Sequence, residues 1–217
     1  MPTTLTPNHP DTASHRGPTQ PRLTGPWRRD LSPLTATERR LARYALQLCQ
    51  GTPALLEDRP GRELIAALWT LLLPLLDPQA LARWLAAERP MDEADADPWA
   101  DDPPEENPRL RRRLIQALRH CPASVLQRLV MADGDQPLNP VTRLLGDSLA
   151  LDPLSRRVLD FLDLLLLDQR LRQVLRSCER ASARANRARM AATLGMAEHQ
   201  FRALFTRQAP LRTLGLA

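Results

Sequence analysis

The residue types that start chemistry are few in this chain and poorly spaced for it. All thirty cationic side chains are arginine. A phosphate-binding P-loop needs a lysine to reach the β and γ phosphates, and Schiff-base catalysis needs an amine that can lose its proton; a guanidinium does neither. Ser124, Ser148, Ser155 and Ser177 lack the Gly-x-Ser-x-Gly setting of a nucleophile elbow, and Ser155, just after Pro153-Leu154, reads as a helix-start residue. Cys49, Cys121 and Cys178 show no paired spacing, which argues against a zinc site or a disulfide framework and for a reducing cytoplasm. His120 and Cys121 are adjacent but precede Pro122, where a helix ends, so their side chains diverge. No catalytic residue, cofactor site or metal set emerges, and a non-enzymatic protein is expected.

Arginine can still bind. From residue 168 onward ten arginines face three carboxylates, a net charge of +7 suited to a phosphate backbone. Within that stretch, Met190 to Leu204 has the spacing of a helix-turn-helix. Ala191 is the small residue where two helices cross, Gly195 turns the chain, and Phe201 and Leu204 anchor the second helix. Arg184, Arg187, Arg189, His199, Gln200, Arg202 and Arg207 are the candidate contact residues for DNA or for a protein partner. Modules of this kind bind either class, and a GC-rich coding bias would raise arginine everywhere.

The run Val141 to Leu162, with Leu151-Asp152-Pro153-Leu154-Ser155-Arg156-Arg157 at its centre, and the closing Ala209-Pro210-Leu211-Arg212-Thr213-Leu214-Gly215-Leu216 are leucine-rich phrases at helical spacing. Together they resemble the helical, winged-helix-like region that precedes the motor in a group of bacterial AAA+ ATPases, over residues 138 to 217. The match is interrupted by Gly146-Asp147-Ser148-Leu149-Ala150, and no Gly-x-x-x-x-Gly-Lys-Ser/Thr motif occurs in the chain, so the motor is absent and no nucleotide-binding residue carries over. The resemblance implies engagement of a protein partner, such as an AAA+ motor or its substrate, or of nucleic acid, and no catalysis.

The elements that must position these residues read as all-α, a multi-helix bundle with a helix-turn-helix-like pair at the C-terminal end. The chain has 217 residues, 43% of them hydrophobic, enough for a core, and Leu dominates where a sheet would show alternating Val, Ile and Thr. Residues 1–33, with seven prolines and little to bury, read as a disordered Pro-rich tail in which Trp27-Arg28-Arg29 is taken as plain linker. Residues 34–90 predict a small helical bundle: a helix opening on the capping box Thr35-Ala36-Thr37-Glu38, a second from Gly61 to Leu73 ended by Pro74, and a third from Asp77-Pro78 to about Arg89. Trp69 and Trp84 are expected core anchors. Residues 91–107 form an acidic linker, with eight carboxylates, no arginine and a stranded Trp99, able to compete with an anionic partner for a basic surface. Residues 108–217 form a basic helical domain of charge +10, with helices near 108–120, 122–132, 138–150, 153–167, 168–180, 185–194 and 197–207. The four leucines Leu164 to Leu167 surround a helix completely and read as core, with a partner surface as the alternative. The longest apolar stretch, Leu64 to Leu76, contains Pro74 and is too short to span a bilayer.

Overall fold

Twelve α-helices and no strand make up the described part of the computed structural model, which covers residues 25–57, 60–86, 107–134, 137–206, 209–213 and 215. Thr35 opens α1 (Ala36–Gly51): its hydroxyl accepts the Glu38 amide at 3.1 Å, and Glu38 accepts the Thr35 amide at 2.7 Å, closing the predicted capping box. A short α2 (Ala54–Glu57) was not foreseen. It is followed by α3 (Arg62–Leu72), a 3-10 turn at Leu73–Leu75 and α4 (Pro78–Ala86). Then come α5 (Pro108–Arg119), α6 (Ala123–Asp133), α7 (Pro140–Ser148), α8 (Pro153–Leu167), α9 (Gln169–Ser177), α10 (Ala183–Thr193), α11 (Glu198–Ala203) and α12 (Pro210–Thr213). Asn107, Asn139, Asp152, Asp168 and Ser182 cap five of these through their side chains, satisfying amides that have no partner inside a helix.

The hub is α1. Leu41, Tyr44, Leu46, Leu48 and Cys49 are buried, and the helix packs against α3, α5, α6, α9 and α10. One hydrophobic core therefore runs from Trp27 to Leu211. The segments 34–90 and 108–217, read from the sequence as separate units, contribute to it jointly, because α1 and α3 spend their apolar faces on helices from the other segment. Gly51 marks a close approach of α1 to α10: a Cβ there would lie 2.7 Å from Cβ of Ala192, closer than two non-bonded carbons can approach.

Residues 25–33 belong to this body, which corrects their reading as tail and linker. Trp27 is buried and forms an isolated antiparallel bridge with Leu76. The Arg28 amide donates to the Leu75 carbonyl at 2.9 Å, the Asp77 amide to Pro26 at 2.8 Å, and Arg28 Nε to Pro74 at 2.8 Å. The 3-10 turn stops at Leu75, and Pro78 has no amide to return to Pro74, so the carbonyls of Pro74 and Leu75 stay open to an incoming chain. Residues 1–24, the acidic stretch 91–106 with Trp99, and Arg207 lie outside the described residues. Trp69 and Trp84 are half-buried against the core, and the Arg113 guanidinium sits 5.0 Å from the Trp84 ring centroid.

Candidate binding surfaces

Among the described residues no cluster of three His, Cys, Asp or Glu could hold a metal. All three cysteines are free. Burial pushes the Cys49 thiol far above its ordinary range, Cys121 up to about 12 and Cys178 up to about 11, so none is a thiolate near neutrality.

The predicted turn between α10 and α11 is present. Gly195 sits at φ +64°, in the left-handed region, and its amide donates to Ala192 at 2.9 Å while the Met196 amide reaches Ala191 at 3.0 Å. Ala191, Leu194, Phe201 and Leu204 are buried as the spacing requires, and Phe201 packs on Phe205 with ring centroids 5.1 Å apart. The candidate residues divide three ways. Arg184 and Arg187 are exposed on α10, and His199, Gln200 and Arg202 are exposed on α11. Gln200 is partly committed, since its side-chain oxygen accepts the Ala197 amide at 3.0 Å and caps the six-residue α11. Arg189 is half-buried and turns elsewhere, into a groove of about 420 Å³ between the end of α8, α9 and α10.

Sequence reasoning missed a buried charge network that sets the geometry of the C-terminal half. Arg40 on α1 donates through Nε to Asp133 of α6 at 2.5 Å and through Nη1 to Asp160 of α8, and Arg43 Nη1 reaches Asp133 at 3.0 Å. All four side chains are at most 3% exposed. Burial pushes the Asp133 carboxyl above its usual range, against the opposing pull of Arg43 and Arg40. The other oxygen of Asp160 accepts the Leu138 amide at 2.7 Å, and Asn139 donates to Asp163 at 3.1 Å while its oxygen caps α7 through the Val141 amide at 2.9 Å. The network thus fixes where α7 begins and which face it turns to α8.

That face is the unexpected one. Buried in the contact are Thr142 and Gly146, and Gly146 lets the Arg156 stem of α8 approach to 3.2 Å of where a Cβ would be. The stripe Val141, Leu144, Leu145 and Leu149 points outward, with Leu144 66% exposed. An amphipathic helix ordinarily turns such a stripe to its own core. The leucines at the end of α8 also correct their core assignment: Leu164 is buried, but Leu166 and Leu167 are 73% and 71% exposed. Here α8 outruns the core before Asp168 begins α9. Periodicity shows that a face exists, not what covers it.

No family model, no curated protein and no solved structure matches the chain.

Proposed function

We propose that this chain is a non-catalytic helical interaction domain that docks a partner protein on the outward face of α7. The carrying observation is the stripe of Val141, Leu144, Leu145 and Leu149, left in solvent by a helix whose contact with the fold uses Thr142 and Gly146. Fully burying a leucine is worth roughly 1.5–3 kcal/mol relative to leaving it exposed, so an apolar partner surface gains substantially by covering four such residues. The stripe lies inside residues 138–217, the stretch that resembles the region before an AAA+ motor, and an AAA+ motor or its substrate is the partner this reading favours. Free thiols suit a cytoplasmic setting. Among the described residues no helix is long and apolar enough to cross a membrane.

Photocrosslinking from position 144 in the native cell tests the reading. A discrete adduct should form with the wild-type surface and disappear when Val141 and Leu145 are both changed to Ser, while the thermal midpoint stays unchanged. An adduct pattern that survives those changes would sink it.

A second reading, DNA binding, is favoured by one feature: α11 shows His199, Gln200 and Arg202 to solvent directly beyond the Gly195 turn, with Arg184 and Arg187 exposed on the helix before it. Phosphate contacts make affinity fall steeply with salt. Duplex binding with a steep negative salt slope, reduced by Arg202→Ala, supports this reading; no binding at low salt removes it.

A further inference from the structure

The groove that takes Arg189 is lined by side chains of two kinds. Leu165, Leu166, Leu175 and Met190 are its apolar lining. Arg172, Arg176 and Arg189 line it beside them, with Glu179 the one carboxylate among the described lining residues. Arg172 donates to the Leu166 carbonyl at 2.8 Å, which holds its cationic head at the groove edge. Arg189 donates to Asn186 at 3.2 Å, but its Nε is buried without a hydrogen-bond partner. Among the described residues no carboxylate pairs with Arg176 or Arg189. Burial and the nearby Arg180 together depress Arg189 below the usual arginine range, as expected of a cation with a cation for a neighbour.

Three cations against one anion call for an anionic occupant, and four apolar side chains beside them call for one that also carries an apolar face. A nucleic acid uses the first feature and not the second. A small amphiphile would use both, but the cavity does not close around it: Leu166, which lines the groove, and Leu167 beside it are mostly exposed, so the apolar surface continues past the groove. An extended ligand matches that continuation. We propose that the groove between the end of α8, α9 and α10 binds an acidic amphipathic helix of a partner protein, with its leucine-type anchors on Leu165, Leu166, Leu175 and Met190 and its carboxylates on Arg172, Arg176 and Arg189. This is helix-in-groove recognition, read by the partner as anchors at i, i+3, i+4 and i+7. It rests on the reading of the chain as a protein-binding domain but not on the α7 stripe, which is a different surface.

Fluorescence anisotropy of the full chain against a labelled synthetic helix of about 18 residues, Leu at i, i+3, i+4 and i+7 and Glu between, tests it. Micromolar binding is expected, weakened about tenfold by Arg176→Glu and by Leu166→Ser, changes at exposed positions that leave the fold intact. A peptide of the same composition with the Leu spacing scrambled should also bind about tenfold more weakly, whereas Leu144→Ser on α7 should leave binding unchanged. Absence of micromolar binding, equal binding of the scrambled peptide, or indifference to Leu166→Ser would each overturn the proposal, the last two by showing attraction of charge alone. Loss of peptide binding in Leu144→Ser would move the site to α7, overturning this inference while leaving the broader reading in place.

Discussion

Arginine plays opposite roles at two places in this molecule. Between α1, α6 and α8, Arg40 and Arg43 are buried and matched by Asp133 and Asp160, so two cations meet two anions in the interior. Along α9 and α10, Arg176 and Arg189 have no carboxylate partner among the described residues, and the groove they line continues into the exposed Leu166. Since all thirty cations of the chain are arginine, residue type alone cannot separate the two uses. Pairing does. A guanidinium locked to buried carboxylates holds structure, because removing either member strands the other in a medium that solvates charge poorly. One without a carboxylate at a groove contributes little to folding and remains free for an incoming anion. Half-exposed pairs such as Arg170 with Asp168 fall between, and perturbing one arginine of each kind turns the comparison into a measurable gradient.

The largest effect belongs to Arg40→Leu. Asp160 would keep only the Leu138 amide, and Asp133 would keep only Arg43, with a stability loss of roughly 3–5 kcal/mol in urea unfolding. The loss should depend on pH with a definite sign. Burial already holds the Asp133 carboxyl above its usual range, so the folded state takes up a proton more readily than the unfolded chain. Stability tied to that group grows as pH falls through the folded value and declines as pH rises through it. The deficit of Arg40→Leu relative to wild type should therefore shrink between neutral pH and about pH 4–5, where a proton can replace the missing cation. A deficit that is constant over that range, or below about 1 kcal/mol, would show that the interior solvates these carboxylates by other means.

Asp168→Asn probes the intermediate case. Asp168 caps α9 through the Leu171 amide at 3.0 Å and pairs with Arg170 at 2.7 Å, with 13% and 36% of the two side chains exposed. Burial pushes the Asp168 carboxyl up, but Arg170 and the Leu171 amide outweigh it and hold the group below its usual range. Asparagine caps a helix about as well as aspartate, so the substitution removes chiefly the ion pair, at about 0.5–1 kcal/mol near neutrality. A depressed carboxyl contributes stability above its unfolded pKa and loses it as pH falls through the folded one. The difference between variant and wild type should thus begin to shrink below about pH 4 and vanish only once pH has fallen through the depressed folded value. Asp152 and Glu38, also held low by their cap contacts, keep the rest of the acid limb in both proteins. A difference that persists in acid would assign the effect to packing instead of charge.

Much of the helical frame was readable in advance, and the readable parts share one property: their cause is local. Thr35 and Glu38 lie three residues apart, the Gly195 turn needs only its own φ, and prolines at Pro108, Pro140 and Pro153 sit in the first turn of the helices they introduce. The unread parts have distant causes. Arg40 meets partners 93 and 120 positions away, among so many arginines that none stands out, and the segment around Trp27 is held by Arg28 donating to the carbonyls of Pro74 and Leu75, the former 46 positions away. The candidate surfaces were half legible. Spacing located the α10–α11 turn and its outward residues, and it marked the leucines of α7 and α8 as apolar faces. Which apolar face stays uncovered depends on the Asp160 and Asn139 contacts that seat α7, and no local pattern encodes those.

The smallest effect on stability is expected for Arg176→Gln, and its smallness is the informative part. Arg176 is exposed in the last turn of α9, where a cation gains a few tenths of a kcal/mol from the helix dipole at most, and glutamine keeps nearly the same helix propensity. With no carboxylate partner to strand, the change should fall within about 0.5 kcal/mol of wild type in urea unfolding and should not vary with pH across the carboxylate range. The same substitution removes one of three cations from the groove lining, so binding of an acidic amphipathic helix should weaken while the fold does not notice. A loss above about 1 kcal/mol would mean that Arg176 is paired inside the folded chain in solution. The groove would then belong with the buried network, as a structural use of arginine, and the contrast between the two regions would collapse into one of degree.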